Sequence, residues 1–127
     1  MHDIFISFSS ADSLIAEAAK HFLESKSIRC WKAPESIVPG QIWEEAITDA
    51  IQDCVGMLLI WSSHSQSSPQ VSRELSLAAN SQKIIVPFRI EAVEPAGTFA
   101  YYLTNTHWID ALRRLWKTQS IYGTMGS

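Results

Sequence analysis

The chain has 127 residues, of which 46% are hydrophobic and 18% charged, and its formal net charge is −3. This balance predicts one globular domain with a sizeable core and excludes a disordered chain. The slight negative charge, with no basic stripe, argues against nucleic-acid or lipid-surface binding. The longest apolar run, Cys54 to Trp61, is far shorter than the roughly 20 residues needed to span a bilayer.

Strand and helix patterns then alternate along the chain. The segment Asp3 to Phe8 is β-branched and aromatic and predicts a strand, and the serines after it offer a cap for a helix that ends near Ser25. Apolar residues recur in this helix at helical spacing and predict one buried face. They are Leu14, Ile15, Ala18, Ala19, Phe22 and Leu23.

A short second strand, Ile28 to Trp31, leads into a loop with two prolines and a glycine. A second helix follows, with apolar positions from Ile42 to Ile51. The run Val55 to Trp61 is apolar throughout, which is typical of a central parallel strand that is covered on both faces. Ser68 and Pro69 then predict a helix start, because a capping hydroxyl precedes the residue best tolerated at the first helical position.

Pro87 lies in the next apolar segment, "KIIVPFRI", and predicts an edge strand or a bulge. Thr106 to Ile109 is a marginal fifth strand, and "DALRRLWK" begins a closing helix. The alternation predicts right-handed βαβ units, and therefore an α/β fold with an open parallel sheet and helices on both faces. We expect the domain to span residues 1–118 and residues 119–127 to be a flexible C-terminal end, a linker or a cloning remnant.

The sequence lacks the residue motifs of several common types of active site. There is no glycine-rich phosphate motif of the dinucleotide-binding or ATPase kind. His64 lies among serines, but no G-x-S-x-G elbow surrounds it, so a hydrolase triad is not predicted. The histidines are scattered over separate elements, which argues against a metal site. Cys30 and Cys54 match no metal or redox spacing and are predicted to be buried free thiols. No secretion signal opens the sequence, and we expect a cytoplasmic protein.

Three segments occur in a telling order and spacing: "DIFISFSSAD", "CWKAPESIVPGQIWEEAITDAI" and "SSHSQSSPQVSREL". With them, over about residues 2–112, the chain resembles a Toll/interleukin-1 receptor (TIR) domain of the bacterial type. The resemblance implies a flavodoxin-like five-stranded sheet. Bacterial and plant members and one animal branch of that family cleave NAD+ between nicotinamide and ribose, whereas many animal members act only as assembly modules.

The resemblance therefore implies an NAD+ glycohydrolase that gives nicotinamide and ADP-ribose, or a cyclic product, in bacterial defence or signalling. NAD+ would be the substrate, and no cofactor or metal is implied. Activity would depend on self-association and on a sensor domain or partner protein outside this chain. A non-catalytic assembly module and another nucleotide-binding α/β protein are the alternatives.

By position, Glu74 matches the family's catalytic glutamate, in the helix after the third strand. Nicotinamide leaves as a cationic group that needs no general acid, and one anion stabilises the oxocarbenium-like ribose. The residues implied to contact the substrate come from the first loop and from the start of the loop after the second strand. They are Phe8, Ser9, Ser10, Trp31, Lys32, Ala33 and Pro34. The residues implied to form an assembly contact are Ile37, Val38, Pro39, Gly40 and Trp43.

The sequence departs from many NAD-cleaving members at two positions beside the glutamate. Those members have tryptophan and cysteine where this chain has Gln70 and Val71, and the change bears on how the base is stacked. By helix pattern alone, Glu74 beside Arg73 is an ordinary surface residue, because glutamate is an excellent helix former. The family resemblance reverses this interpretation.

Overall fold

The computed structural model describes residues 2–104 and 106–111. Five strands form one parallel sheet: β1 (Ile4–Ser7), β2 (Cys30–Trp31), β3 (Gly56–Trp61), β4 (Ile84–Arg89) and β5 (Ile109–Asp110). Their spatial order is β2-β1-β3-β4-β5. This is the flavodoxin-like order, so the predicted fold class is confirmed.

Helices connect the strands. A 3₁₀ turn over Ser10–Asp12 precedes α1 (Ser13–Ser25), and the later helices are α2 (Trp43–Asp53), α3 (Ser63–Gln66), α4 (Pro69–Asn80) and α5 (Gly97–Leu103). The predicted start of α4 is confirmed, since the Ser68 hydroxyl accepts a hydrogen bond from the Val71 amide at 3.2 Å. No helix was predicted from the sequence at the position of α5, although Phe99 and Leu103 share a buried face at i, i+4 spacing.

The core lies on both faces of the sheet. On one face, side chains of β1 and β3 such as Phe5 and Met57 pack against α2 and α4, and Trp61 packs under α4 and α5. On the other face, Ile6 and Ile60 pack with α1. Successive strand residues point to opposite faces, so each strand serves both layers.

The predicted buried face of α1 is largely wrong for the part of the chain that the structure describes. Ala16 is the fully buried residue of this helix, whereas Leu14 is 86% exposed and Phe22 is 62% exposed. The helix packs on the sheet mainly through Ala16 and Leu23. Its other apolar residues line a groove of about 720 Å³ that extends to Ile109 in β5.

The prediction that Pro87 marks an edge strand or a bulge is also wrong. β4 lies between β3 and β5, and Pro87 is buried opposite Leu59. The proline is tolerated because β5 pairs only with Phe88 and Arg89, one residue further along. The predicted closing helix and the C-terminal end at residues 119–127 lie outside the described residues, apart from the helical Ala111.

Both cysteines are buried free thiols, as predicted. Burial raises the pKa of Cys30 and of Cys54 to about 11, so neither thiol is reactive at neutral pH.

Candidate functional site

A cleft of about 430 Å³ opens at the carboxyl ends of β1 and β2. This is where ligand sites occur in open parallel sheets, and the volume lies within the range of about 300–1,000 Å³ usual for small-molecule sites. Glu74 lies on its wall. Six of the residues predicted to contact substrate also line it: Phe8, Ser9, Ser10, Lys32, Ala33 and Pro34.

The Glu74 side chain comes from the second turn of α4 and is held by two hydrogen bonds. The Ser7 hydroxyl donates to Glu74 Oε1 at 2.6 Å, and the Gln70 amide nitrogen donates to Oε2 at 3.1 Å. Glu74 is only 8% exposed, yet it borders the cleft. Its two oxygens are therefore fixed in orientation while one side of the carboxyl group faces the open site.

The environment of Glu74 raises its pKa. Burial disfavours the charged form and is the largest influence, while the hydrogen bonds from Ser7 and Gln70 and the charge of Arg73 act in the opposite direction. Among residues 2–104 and 106–111, Glu74 forms no ion pair. A buried carboxylate that borders a cleft, has a shifted pKa and forms no ion pair in the described part of the chain is typical of functional groups.

Ser7 is a residue of the candidate site that was not predicted from the sequence. It ends β1 and is fully buried on the same sheet face as Phe5, against which α2 and α4 pack. The strand alternation Ile4, Phe5, Ile6, Ser7 contained the signal, because it places the serine on the α4 side and Phe8 on the other. A hydroxyl at the carboxyl end of an otherwise apolar strand needs a buried partner, and here it is Glu74.

Lys32 is in the cleft but its ammonium group is already paired. Its Nζ lies 3.0 Å from one Glu35 oxygen and 3.1 Å from the other, and 3.3 Å from Glu17 of α1. It also lies 4.9 Å from the centre of the Phe8 ring. Lys32 thus joins the loop after β2 to α1 and to the end of β1, and it shapes the floor of the cleft.

Trp31 does not line the cleft, and the structure corrects its predicted role as a substrate contact. Its indole is buried and stacks on Phe5 with ring centres 5.1 Å apart. Trp31 belongs to β2, and strand alternation turns it into the core while the next residue, Lys32, turns toward the cleft.

The predicted assembly residues fall into three groups that differ in their surroundings. Ile37 is partly buried against the core cluster that contains Phe5, so its side chain is only partly available for an assembly contact. Val38 is exposed, as are Pro39 and Gly40, whose φ of +93° is the left-handed conformation that favours glycine. Trp43 begins α2 and lines the cleft, so it is part of the candidate site.

No group of three or more metal-ligating side chains lies together in the described part of the chain. Nor is any helix within residues 2–104 and 106–111 long and apolar enough to cross a membrane. The side chains that line the cleft offer one carboxylate, hydroxyl groups, aromatic rings, the Gln70 amide and the Lys32 ammonium group.

A sequence model of the TIR domain family matches residues 4–121. The chain therefore belongs to the TIR domain family, and the resemblance seen in its motifs is confirmed at this level. Its assignment to the NAD-cleaving bacterial type stays a prediction. No curated protein sequence is significantly similar to the chain.

Solved structures share the fold. The TIR domain of the Toll-related receptor TRR-2 from Hydra magnipapillata has a TM-score of 0.80 at 16% identity over all of both chains. A metazoan TIR-STING receptor from C. gigas, in complex with 2′,3′-cGAMP, has a TM-score of 0.74 at 22% identity, and this chain covers 40% of it. The TIR domains of the activated Roq1 resistosome, which recognises the effector XopQ, have a TM-score of 0.67 at 18% identity. The match covers 98% of this chain and 79% of the Roq1 chain.

Proposed function

We propose that this TIR domain is an NAD+ glycohydrolase in which Glu74 is the catalytic carboxylate. The observation that carries the proposal is the nearly buried Glu74 side chain, which borders a cleft at the carboxyl end of the sheet without an ion-pair partner in the described residues. Membership of a family that includes NAD-cleaving enzymes supports it. We place the reaction in the cytoplasm, in a bacterial defence or signalling system.

The reaction breaks the bond between the nicotinamide nitrogen and C1′ of the ribose. The bonding electron pair returns to the nitrogen, which leaves as neutral nicotinamide, and positive charge develops on the ribose ring. The Glu74 carboxylate stabilises this charge and accepts hydrogen bonds from the ribose hydroxyls. Water then attacks C1′ and releases a proton, giving ADP-ribose, or a nitrogen of the adenine ring attacks and gives a cyclic product.

The two hydrogen bonds on Glu74 have different parts in this reaction. Ser7 is fully buried and keeps Oε1 in place throughout. Gln70 is exposed, so its amide can move aside and let a ribose hydroxyl replace it on Oε2. A fixed carboxylate needs little reorganisation when charge develops, which is the main source of electrostatic catalysis.

We also propose that activity depends on self-association. The loop after β2 carries exposed Val38 and Pro39, and Lys32 ties the base of the same loop to the cleft. A contact on this loop would act on the site directly. The Roq1 TIR domains are seen within an activated resistosome, which supports an assembled active state for related domains.

One observation favours the alternative of a non-catalytic assembly module. Both oxygens of Glu74 accept hydrogen bonds within the chain, an arrangement that also suits a purely structural carboxylate. A structural Glu74 would leave NAD+ intact.

The test is incubation of the purified chain with NAD+ at high protein concentration, followed by chromatography of the products. We expect nicotinamide together with ADP-ribose or a cyclic product, and we expect Glu74→Gln to lower the rate at least about 100-fold, the effect of removing one transition-state contact. Glu45→Gln is the matched control, because Glu45 is an exposed glutamate of α2 that does not line the cleft. Cleavage that persists in Glu74→Gln would contradict the assignment.

A further inference from the structure

Trp43 is the first residue of α2, and its side chain is half exposed at 51%. It lines the cleft described above and also an adjoining groove of about 270 Å³ between α2 and α4. The two depressions share three residues: Trp43, Gln70 and Glu74. The indole therefore borders both depressions, as the Glu74 side chain does.

The other tryptophans in the described part of the chain have aromatic partners. Trp31 stacks on Phe5, and Trp61 contacts Phe99 and Trp108. No aromatic ring within residues 2–104 and 106–111 packs on Trp43. A large aromatic side chain left half exposed in a concave site, beside a carboxylate, is a binding surface for a flat ligand.

Phe8 is the other aromatic residue in the cleft that sequence reading selected for ligand contact. One face of its ring is covered by the Lys32 ammonium group at 4.9 Å, and the ring packs into the core with Ile6. Phe8 is therefore partly buried and already packed on protein groups, whereas Trp43 is the more exposed of these two aromatic residues of the cleft.

We propose that the Trp43 indole stacks on the nicotinamide ring of NAD+, an inference that rests on the proposed function for the identity of the ligand. The bond to be broken joins the nicotinamide ring to the ribose that Glu74 must reach. The ring beside Glu74 is thus nicotinamide and not adenine. It carries a positive charge before cleavage, and tryptophan is the side chain that best attracts a cation to its face.

This geometry predicts a particular kinetic signature. The charge of the nicotinamide ring passes to the ribose as the bond breaks, so the attraction of the indole is stronger in the bound substrate than in the transition state. An interaction of that kind tightens substrate binding without accelerating the chemical step. Loss of the indole should therefore raise KM, while kcat does not fall.

The experiment measures ligand affinity by calorimetry in the Glu74→Gln background, where NAD+ is not consumed. The probes are NAD+ and ADP-ribose, which lacks the nicotinamide ring. We expect NAD+ to bind more tightly than ADP-ribose. Trp43→Ala should weaken NAD+ binding about tenfold or more, which is the effect of removing an aromatic ring that stacks on a base. The binding of ADP-ribose should change little. Trp43→Phe keeps a ring and should retain part of the preference.

Equal losses for both probes, or no loss for either, would overturn the proposal. A thermal melt of each variant shows whether it is folded. If Trp43→Ala is not folded, the affinities of Trp43→Phe for the two probes provide the test. The same assay separates this inference from the proposed function. If NAD+ binding depends on Trp43 but the chain with Glu74 intact does not cleave NAD+, the stacking proposal stands and the glycohydrolase assignment is contradicted. If the chain cleaves NAD+ and Trp43→Ala leaves KM unchanged, the assignment stands and the stacking proposal is contradicted.

Discussion

At the scale of single residues, Glu74 combines its proposed catalytic position with an environment that is unfavourable for a charged group. Its burial disfavours the negative charge that the proposed reaction requires, and this effect is opposed by hydrogen bonds from Ser7 and Gln70 and, to a smaller extent, by the charge of Arg73. Ser7 and Gln70 donate hydrogen bonds, which favour the ionised form without supplying a full counter-charge. The proposed activity would therefore be obtained at the expense of stability.

The pH dependence of the rate follows from this raised pKa. The reaction needs the ionised carboxylate, so NAD+ cleavage should fall on acidification, with its acid limb at a higher pH than an ordinary glutamate would give. Ser7→Ala removes a donor that favours the charged form and should move the acid limb to still higher pH. Profiles of kcat/KM against pH for the two proteins test this, and coincident profiles would mean that Ser7 does not tune Glu74.

Stability should change in the opposite sense to activity. A carboxyl group whose pKa is raised by folding contributes stability at pH values below its unfolded pKa, and this contribution is lost as the pH rises through the folded pKa. Glu74→Gln removes the buried charge and keeps the shape, so it should melt at an equal or higher temperature than the wild type at neutral pH. The difference should shrink in acid, and Glu45→Gln gives the baseline for an exposed site.

At the scale of elements, the loop between β2 and α2 is anchored to the cleft at its start and exposed to solvent further on. Lys32 anchors Glu35, and the Ser36 hydroxyl accepts a hydrogen bond from the Lys32 amide at 3.0 Å. Beyond this turn Val38 and Pro39 are exposed. The start of the loop is therefore held by hydrogen bonds, whereas the exposed side chains of its outer part are available for a contact.

The Lys32–Glu35 pair should control the order of this loop. Glu35→Gln weakens two hydrogen bonds to the ammonium group, and we expect faster amide hydrogen exchange at Ser36 and Ile37, which donate to Lys32 and Pro34. The melting temperature should change little, because Glu35 is partly exposed. Glu45→Gln is the control, because Glu45 is an exposed glutamate of α2 that forms no ion pair within the described residues. Unchanged exchange in Glu35→Gln would show that the turn is held by its backbone alone.

At the scale of the whole molecule, the two ends of the parallel sheet differ. The cleft and the loop after β2 lie at the carboxyl ends of the strands, whereas the exposed Val55 lies before β3 at the amino ends. A self-association contact that governs activity should involve the first end.

Turnover per molecule should therefore rise with protein concentration, because association is a mass-action process. Val38→Asp should reduce this rise by placing a charge in the contact, and Val55→Asp, the same change at a similarly exposed valine, should leave it intact. Ile37 is unsuitable for this test because it packs against the core and its substitution would also destabilise the fold. Turnover that is constant with concentration, and indifferent to Val38→Asp, would show that one chain contains a complete site.

The sequence by itself determined the sheet, the start of α4 and the family. Apolar runs and helical spacing are local signals, and the Ser68–Pro69 cap lies within one turn of the helix that it begins. The motif around Glu74 likewise lies within one segment. The same local signals overstated the burial of α1, since periodicity shows which face is apolar but not what packs on it.

Only the tertiary structure decided how the cleft is built. Ser7 and Glu74 are 67 residues apart in sequence, and their hydrogen bond exists because β1 pairs with β3 while α4 packs over both. The placement of two tryptophans was decided in the same way. Trp31 stacks on Phe5 from a neighbouring strand, and Trp43 faces Gln70 and Glu74 across the gap between two helices. Such contacts depend on the relative placement of distant elements, which no pattern of residues along one segment contains.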